Sequence, residues 1–281
     1  MDGKPEKFLL AGVMGWPVMH SRSPKLHNYW FAEHGLSGAY VPLAIPPENL
    51  QRALRALAPL GFSGCNLTIP HKEAALAILD EVDPAARRIG AVNCVVARPD
   101  GILFGTSTDG YGFLASILQE QPGWRADAGP VVVIGAGGGS RAVVWSLAEQ
   151  GAKEIRVVNR SFERARELAE GFGAPVRALP WPDRHAALDG AATLVNTTSQ
   201  GMAGQAPLDL DLGLLPPRAL VADIVYVPRE TPLLAAARRR GNPTIGGLGM
   251  LIHQARPAWK AWFGIEPEVT PVLRTMMEAA L

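Results

Sequence analysis

The chain has 281 residues and carries 27 Lys+Arg against 26 Asp+Glu, a formal net charge of +1. That length suggests about two domains, and so evenly mixed a charge leaves no basic footprint for nucleic acid or an anionic membrane surface. Two cysteines, Cys65 and Cys94, are too few for a disulfide framework or a thiolate zinc site, and no stretch has the length and apolarity of a spanning helix.

The opening Met1-Asp2-Gly3-Lys4-Pro5-Glu6-Lys7 lacks the basic and then apolar order of a signal peptide, so the expectation is a reduced, cytoplasmic protein. Without export, Asn66-Leu67-Thr68 and Asn196-Thr197-Thr198 are empty matches to the glycosylation pattern. From Phe8 onward, short apolar runs alternate with longer amphipathic ones, the pattern of βα units. Phe8–Met14 reads as a strand. Ser23-Pro24 opens a helix, Ser23 as N-cap and Pro24 at the first helical position, and Gly35 closes it. Ala39–Ile45 is a strand, Pro47–Leu60 a helix, Phe62–Leu67 a strand and His71–Leu79 a helix. Val92–Thr106 reads as two strands around the turn Pro99-Asp100-Gly101, and Asp109–Gln119 as a helix stopped by Gln121-Pro122-Gly123.

At Val131 the character changes. Val131–Ile134 is a continuous apolar run, as expected of a strand buried on both faces of a parallel sheet. Then follow a helix over Ser140–Gln150, a strand at Ile155–Val158, a helix over Glu163–Glu170, and strands near Val176–Leu179, Ala192–Val195 and Leu220–Val225. Leu233–Arg240 is helical, and its last residues, Arg238-Arg239-Arg240 before Gly241, are where a helix end favours cations. A final helix runs from Met250 to Trp262. Domain boundaries are expected near Gly105–Gly110 and Thr244–Gly247.

Gly135-Ala136-Gly137-Gly138-Gly139-Ser140 follows a buried strand and opens a helix. Glycines there allow a tight turn and close approach of the backbone to a pyrophosphate, whose charge rests on the helix N-terminus. Ser140 departs from G-x-G-x-x-G, and the loop by itself could be an ordinary βα turn. An NAD site places Asp or Glu about 20 residues on, at the end of the second strand. This chain instead has Asn159-Arg160-Ser161 with Arg164. A guanidinium suits a phosphate dianion, and with the acid missing this points to NADP(H); the alternative is that Arg160 and Arg164 merely form a solvated helix face.

Dense polar clusters stand at loop ends: Gly15-Trp16-Pro17-Val18-Met19-His20-Ser21-Arg22-Ser23-Pro24, Asn66-Leu67-Thr68-Ile69-Pro70-His71-Lys72, Gly90-Ala91-Val92-Asn93 and Gly105-Thr106-Ser107-Thr108-Asp109-Gly110. Further on come Asn196-Thr197-Thr198-Ser199-Gln200-Gly201-Met202, Asp223-Ile224-Val225-Tyr226, Thr231-Pro232-Leu233 and Gly247-Leu248-Gly249-Met250-Leu251 with Gln254. As an ordered set over about residues 8–265, these resemble the shikimate dehydrogenases. Ser107-Thr108-Asp109 stands where that family usually has Asn-Thr-Asp, Asn66-Leu67-Thr68 where it has Asn-Val-Thr, and Gly139 where Ala is common.

The resemblance implies a two-domain α/β enzyme. An α/β substrate domain would span 1–108, with the C-terminal helices of 245–281 returning to it. A doubly wound, Rossmann-type NADP-binding domain would span 109–244, with the active site in the cleft between. It implies reversible hydride transfer between NADPH and 3-dehydroshikimate, giving shikimate, in the pathway to chorismate and the aromatic amino acids. Ser21 and Ser23 would hold the carboxylate, Ser23 also serving as helix cap. Thr68, Asn93, Asp109 and Gln254 would meet ring hydroxyls, with Tyr226 at the pocket edge. Lys72, oriented by Asp109, would be the acid–base group. An alternative for Lys72 is an ordinary surface lysine, though a cation early in a helix opposes the macrodipole. Gly135, Ala136, Gly137, Gly138, Gly139, Ser140, Asn159, Arg160, Ser161, Arg164, Ile224 and Gly247 would bind the cofactor.

No metal is expected: His27 and His34 lie two turns apart on one helix, ~10 Å by rise. Trp259 and Trp262 read as a core-facing helix side, and Cys65 and Cys94 as inert hydrophobes. The rivals are a quinate/shikimate dehydrogenase using NAD, against which Asn159-Arg160 and Ser at position 23 argue, and a silent NADP-binding regulator on the same fold, which the presence of Lys72 and Asp109 disfavours. Small-molecule partners alone are expected, with the chain a monomer or homodimer.

Overall fold

The computed structural model describes residues 8–281; the opening segment on which the signal-peptide argument rests lies outside the described residues. Two compact units divide the chain, one running up to Thr108 and resuming over Gln254–Ala280, the other spanning Asp109–His253. No helix among the described residues is long and apolar enough to cross a membrane.

The first unit is built from β1 (Leu9–Gly15), α1 (Ser23–Glu33), β2 (Gly38–Ala44), α2 (Leu50–Arg55), β3 (Phe62–Leu67), α3 (His71–Ala74), β4 (Glu81–Val82), α4 (Pro84–Ile89), β5 (Cys94–Ala97) and β6 (Leu103–Thr106). Its six strands lie in the order β2-β1-β3-β5-β6-β4. The first three are parallel, and β5 and β6 form the expected hairpin, with β5 antiparallel to β3.

Three expectations here need correction. The helix sought over Pro47–Leu60 is a 3-10 turn followed by only six α-helical residues; Pro59 has no N–H and disfavours helical geometry at Ala58. The helix from His71 keeps α geometry only to Ala74 and tightens to 3-10 over Ala75–Ala77. Ser23 is not the cap of α1: it is already inside the first turn, Arg22 holds the cap position, and the hydroxyl that accepts from the Ser23 N–H belongs to Ser21, at 3.3 Å. The elements β4 and α4 are additions to the pattern expected from the sequence, as is the C-terminal helix described below.

The second unit contains α5 (Asp109–Glu120), β7 (Val131–Ile134), α6 (Gly138–Glu149), β8 (Ile155–Asn159), α7 (Phe162–Phe172), β9 (Val176–Pro180), β10 (Thr193–Asn196), β11 (Leu220–Asp223), α8 (Pro232–Arg239) and β12 (Thr244–Ile245). Its sheet has the order β12-β11-β10-β7-β8-β9, and every pairing is parallel. Alternate residues of β7 serve opposite cores. Val131 and Val133 pack with Val143 and Leu147 of α6 and Leu168 of α7, whereas Val132 and Ile134 pack with Leu233 and Leu234 of α8. Burial on both faces is why this strand reads as an unbroken apolar run. The chain is doubly wound about β7.

Helix α9 (Leu248–Phe263) begins in the second unit and ends in the first, and α10 (Pro271–Glu278) completes the chain. The boundary therefore falls at Gln254, not near Thr244–Gly247. The first turns of α9 are held within the second unit: a Cβ on Gly249 would stand 2.1 Å from Ser116 Oγ, and His253 Nε2 lies 2.8 Å from Gln119 Oε1.

Aliphatic residues of α2 pack with those of β3 and β5 in one core of the first unit. Elsewhere in that unit is an aromatic cluster in which His27 stacks on Tyr40 at 4.0 Å and 5° and sits against Trp30, Trp259 and Trp262. Neither ring nitrogen of His27 has a hydrogen-bond partner. Burial there pushes its pKa from 6.5 down to about 3. A depressed histidine pKa means that the unfolded chain binds the proton more readily, so this contribution to stability is present above about pH 6.5 and lost as pH falls toward 3. Unfolding free energy should therefore rise between about pH 3 and 6.5 with a His27 component of up to about 1.4 kcal/mol per unit. Urea titrations of His27→Phe should show a shallower slope in that window; an identical slope would mean that His27 does not titrate on unfolding.

Candidate active site

Four of the polar clusters emerge at one end of the first sheet, and strand register puts them there. Met14 pairs with Leu67 in the parallel β1–β3 ladder, while Cys94 of β5 pairs with Asn66 on one side and Thr106 on the other. The segments after Gly15, after Leu67, before Cys94 and after Thr106 are thus neighbours. Backbone bonds join the first two loops: Trp16 N–H donates to the Ile69 carbonyl at 3.0 Å and Thr68 N–H to that of Met14 at 2.9 Å.

Asn93 is the hub, with 2% of its surface exposed. Its Oδ1 accepts from the Thr108 N–H at 2.7 Å. Its Nδ2 donates to Thr108 Oγ1 at 3.0 Å and to Gln254 Oε1 at 3.1 Å. The neighbouring Val92 N–H donates to the carbonyl of Lys72 at 2.8 Å. Lys72 is half-buried in α3, Thr68 half-buried just before it, and Ser21 half-buried at the start of α1, where Ser23 is buried. His71, beside Lys72, meets the Ile45 carbonyl through Nε2 at 2.8 Å, and burial holds its pKa below the ordinary value. The structure therefore brings Lys72, Asn93 and Gln254 into one bonded framework. Thr108, to which the sequence assigns no role, is its third corner; the only signal for it is its place inside Ser107-Thr108-Asp109.

In the second unit, β7 and β10 are the pair at which strand order reverses, the place where open α/β sheets take ligands beyond their carboxyl ends. The turn from Gly135 leaves β7 there. Gly135 has φ +116°, and a Cβ on it would lie 2.5 Å from Thr197 Oγ1. Ser140, fully buried, explains its departure from the six-residue pattern: its Oγ accepts from the Gly137 N–H at 3.1 Å and lies 2.6 Å from Thr197 Oγ1. Its hydroxyl shapes the turn. Above Gly137 the space is open, with nothing within 4 Å of a Cβ position, and the first-turn N–H groups of the twelve-residue α6 follow. This arrangement fits a dinucleotide pyrophosphate.

At the end of β8, Asn159 Nδ2 donates to the Ser161 carbonyl at 2.8 Å, and Arg160, Ser161 and Arg164 are exposed. No acid occupies that strand end, so the residues suit a 2′-phosphate. Ile224 and Tyr226 are half-buried after β11, and Gly247 packs so closely that a Cβ would lie 2.1 Å from the Ile224 carbonyl oxygen. Asp223, part of a quoted motif but without an expected role, anchors that loop. It is 1% exposed and accepts from Asn196 Nδ2 at 3.0 Å, Val225 N–H at 3.0 Å and Thr231 Oγ1 at 2.7 Å. Burial still raises its pKa above the ordinary value despite those three donors. No group of three or more metal-ligating side chains occurs among the described residues.

A doubly wound parallel sheet with this turn at its reversal point defines a dinucleotide-binding α/β enzyme of Rossmann type. Residues 13–95 match the family model for the shikimate dehydrogenase substrate binding domain, 118–203 that for shikimate / quinate 5-dehydrogenase, and 247–277 that for the shikimate 5′-dehydrogenase C-terminal domain. The chain is 54% identical over 277 residues to the shikimate dehydrogenase (NADP(+)) of Paramagnetospirillum magneticum, covering 99% of each chain. Among solved structures, the shikimate 5-dehydrogenase of Thermus thermophilus in complex with NADP(H) and shikimate has a TM-score of 0.85 at 40% identity, covering 97% of this chain and 98% of that one. The quinate dehydrogenase of Corynebacterium glutamicum in complex with NAD has a TM-score of 0.87 at 32% identity, with the same coverage. The chain belongs to the shikimate dehydrogenase family.

Replacing Asp223 by Ala would remove an acceptor from three donors, Asn196 Nδ2 keeping only its bond to the Gln200 carbonyl, a loss on the order of 3 kcal/mol. Urea unfolding of Asp223→Ala should show it as a lower midpoint with an unchanged slope; an unchanged midpoint would show the carboxylate to be dispensable.

Proposed function

We propose that this protein catalyses the reversible, NADP-dependent reduction of 3-dehydroshikimate to shikimate, on the route to chorismate and the aromatic amino acids. The first unit binds the ring acid and the second binds NADP(H). The reading is carried by the bonded path Lys72–Val92–Asn93–Thr108, after which Asp109 is the next residue in the chain. The main-chain segments that carry Lys72 and Asp109 are thereby joined to the Asn93 segment.

When bound, NADP(H) supplies the hydride exchanged at ring C3. The chain's own residues do the rest. Ser21 and Ser23 receive the carboxylate, and Thr68, Asn93 and Gln254 meet the ring hydroxyls, with Tyr226 at the edge of the pocket. In the oxidative direction neutral Lys72 takes the proton from the C3 hydroxyl as the C3–H bond breaks. In the reductive direction its ammonium returns that proton to the carbonyl oxygen. Asp109, 5% exposed, accepts from a substrate hydroxyl and balances the ammonium charge. Arg160, with Ser161 and Arg164, holds the 2′-phosphate, and Gly135 to Gly139 approach the pyrophosphate. Gly247 and Ile224 flank the nicotinamide end. The lack of an acid at the end of β8 counts against an NAD-dependent, quinate-active alternative. A cytoplasmic location accords with two buried thiols that are free, and the chain acts as a monomer or homodimer.

The direct test is the appearance of NADPH absorbance with shikimate and NADP+, compared with quinate and with NAD+. Rates highest for shikimate with NADP+ support the proposal, and no turnover of that pair refutes it. Lys72→Ala should lower kcat by about 10²–10⁴-fold while KM for shikimate changes little; a rise in KM alone would reduce Lys72 to a binding role. Arg160→Ala should raise KM for NADP+ by about tenfold or more, the worth of a charge-assisted phosphate contact, and leave KM for NAD+ unaltered. Equal effects on both cofactors would remove the phosphate from its role.

A further inference from the structure

Tyr40 lies on β2, in none of the polar loops, and is 1% exposed. Every part of it is held. The Asn28 side chain clamps its backbone, Oδ1 accepting from the Tyr40 N–H at 2.8 Å and Nδ2 donating to its carbonyl at 3.0 Å. The ring stacks on His27 at 4.0 Å. The hydroxyl donates to Asn66 Oδ1 at 2.7 Å. Asn66 in turn donates through Nδ2 to the carbonyl of Asn93 at 3.0 Å.

A buried phenol at such a junction does more than fill space. An amide can face either way; the acceptor-only carbonyl of Asn93 takes the nitrogen of Asn66, and the Tyr40 O–H then holds the oxygen that this orientation turns toward it. The reversed amide would set Asn66 Oδ1 against the Asn93 carbonyl, two acceptors with no proton between them.

From this we infer that Tyr40 is a positioning residue of the substrate site: through Asn66 it fixes the main chain of Asn93, the residue proposed to meet the ring hydroxyls. The inference rests on the proposed role of Asn93.

Tyr40→Phe removes the oxygen and keeps the stacked ring. KM for shikimate should rise about tenfold, the effect of one lost buried hydrogen bond, while KM for NADP+ stays within about twofold. A role confined to packing would lower the melting temperature and leave the ratio of the two KM values unmoved. A cycle with Asn66→Ala separates the routes: if Tyr40 acts through Asn66, the double variant has nearly the shikimate KM of Asn66→Ala alone, whereas independent action multiplies the two effects. Should Asn66→Ala not fold, the KM split of Tyr40→Phe decides by itself. A wild-type protein inactive on shikimate overturns the functional reading and this inference together. An active wild type with an unchanged KM ratio in Tyr40→Phe overturns the inference alone.

Discussion

The bonds of one buried amide hold the first unit's functional end together. Asn93 meets Thr108 with both polar atoms of its side chain and Gln254 with one of them. Those partners come from the two places at which the chain leaves and re-enters this unit, Thr108 and Gln254. A side chain 2% exposed cannot give up such bonds to water, so each lost partner costs the full desolvation of the other. The hub is therefore both a structural joint and the frame for the polar groups around it, and a buried polar network is stabilising only when every member is satisfied.

The second unit solves a different problem. Strands buried on both faces cannot carry polar function along their length, so function is displaced to their carboxyl ends. Asn196, Asp223 and Gly135 all occupy such ends or the residue just beyond. The buried carboxylate of Asp223 then does for the loop after β11 and for the start of α8 what Asn93 does in the first unit. It accepts from the Val225 N–H and from Thr231, whose hydroxyl also caps α8 through the Leu234 N–H at 3.3 Å.

How much of this the sequence discloses follows from the range of each signal. Val131–Ile134 and Phe62–Leu67 have the bounds expected of them, because runs of apolar residues between turn residues carry their own limits. The start of α1 differs from expectation by one residue, Ser23 being its first helical residue and Arg22 the cap, because no side chain caps this helix and the pattern alone does not fix where it begins. Helix α4 escapes a reading by pattern although Asp83 accepts from the Ala85 and Ala86 N–H groups and Pro84 opens the helix; six residues are too few to show a helical period. The motif residues can be named from their order along the chain, but their partners cannot. The bond between Asn93 and Gln254 spans 161 residues, and that between Tyr40 and Asn66 joins a strand that looks purely structural to the end of β3, where a polar motif begins. Local pattern reports which face is buried and is silent about what it meets.

The central claim is that the substrate is gripped around Asn93, with Lys72 at the reacting oxygen. A crystal structure of the protein with shikimate and NADP+ tests it most directly. The expected density has the carboxylate within hydrogen-bond distance of Ser21 or Ser23, ring hydroxyls on Asn93 and Gln254, and the C3 oxygen on Lys72 Nζ. A ring bound away from Asn93, or turned so that its C3 oxygen faces no amine, would contradict the account.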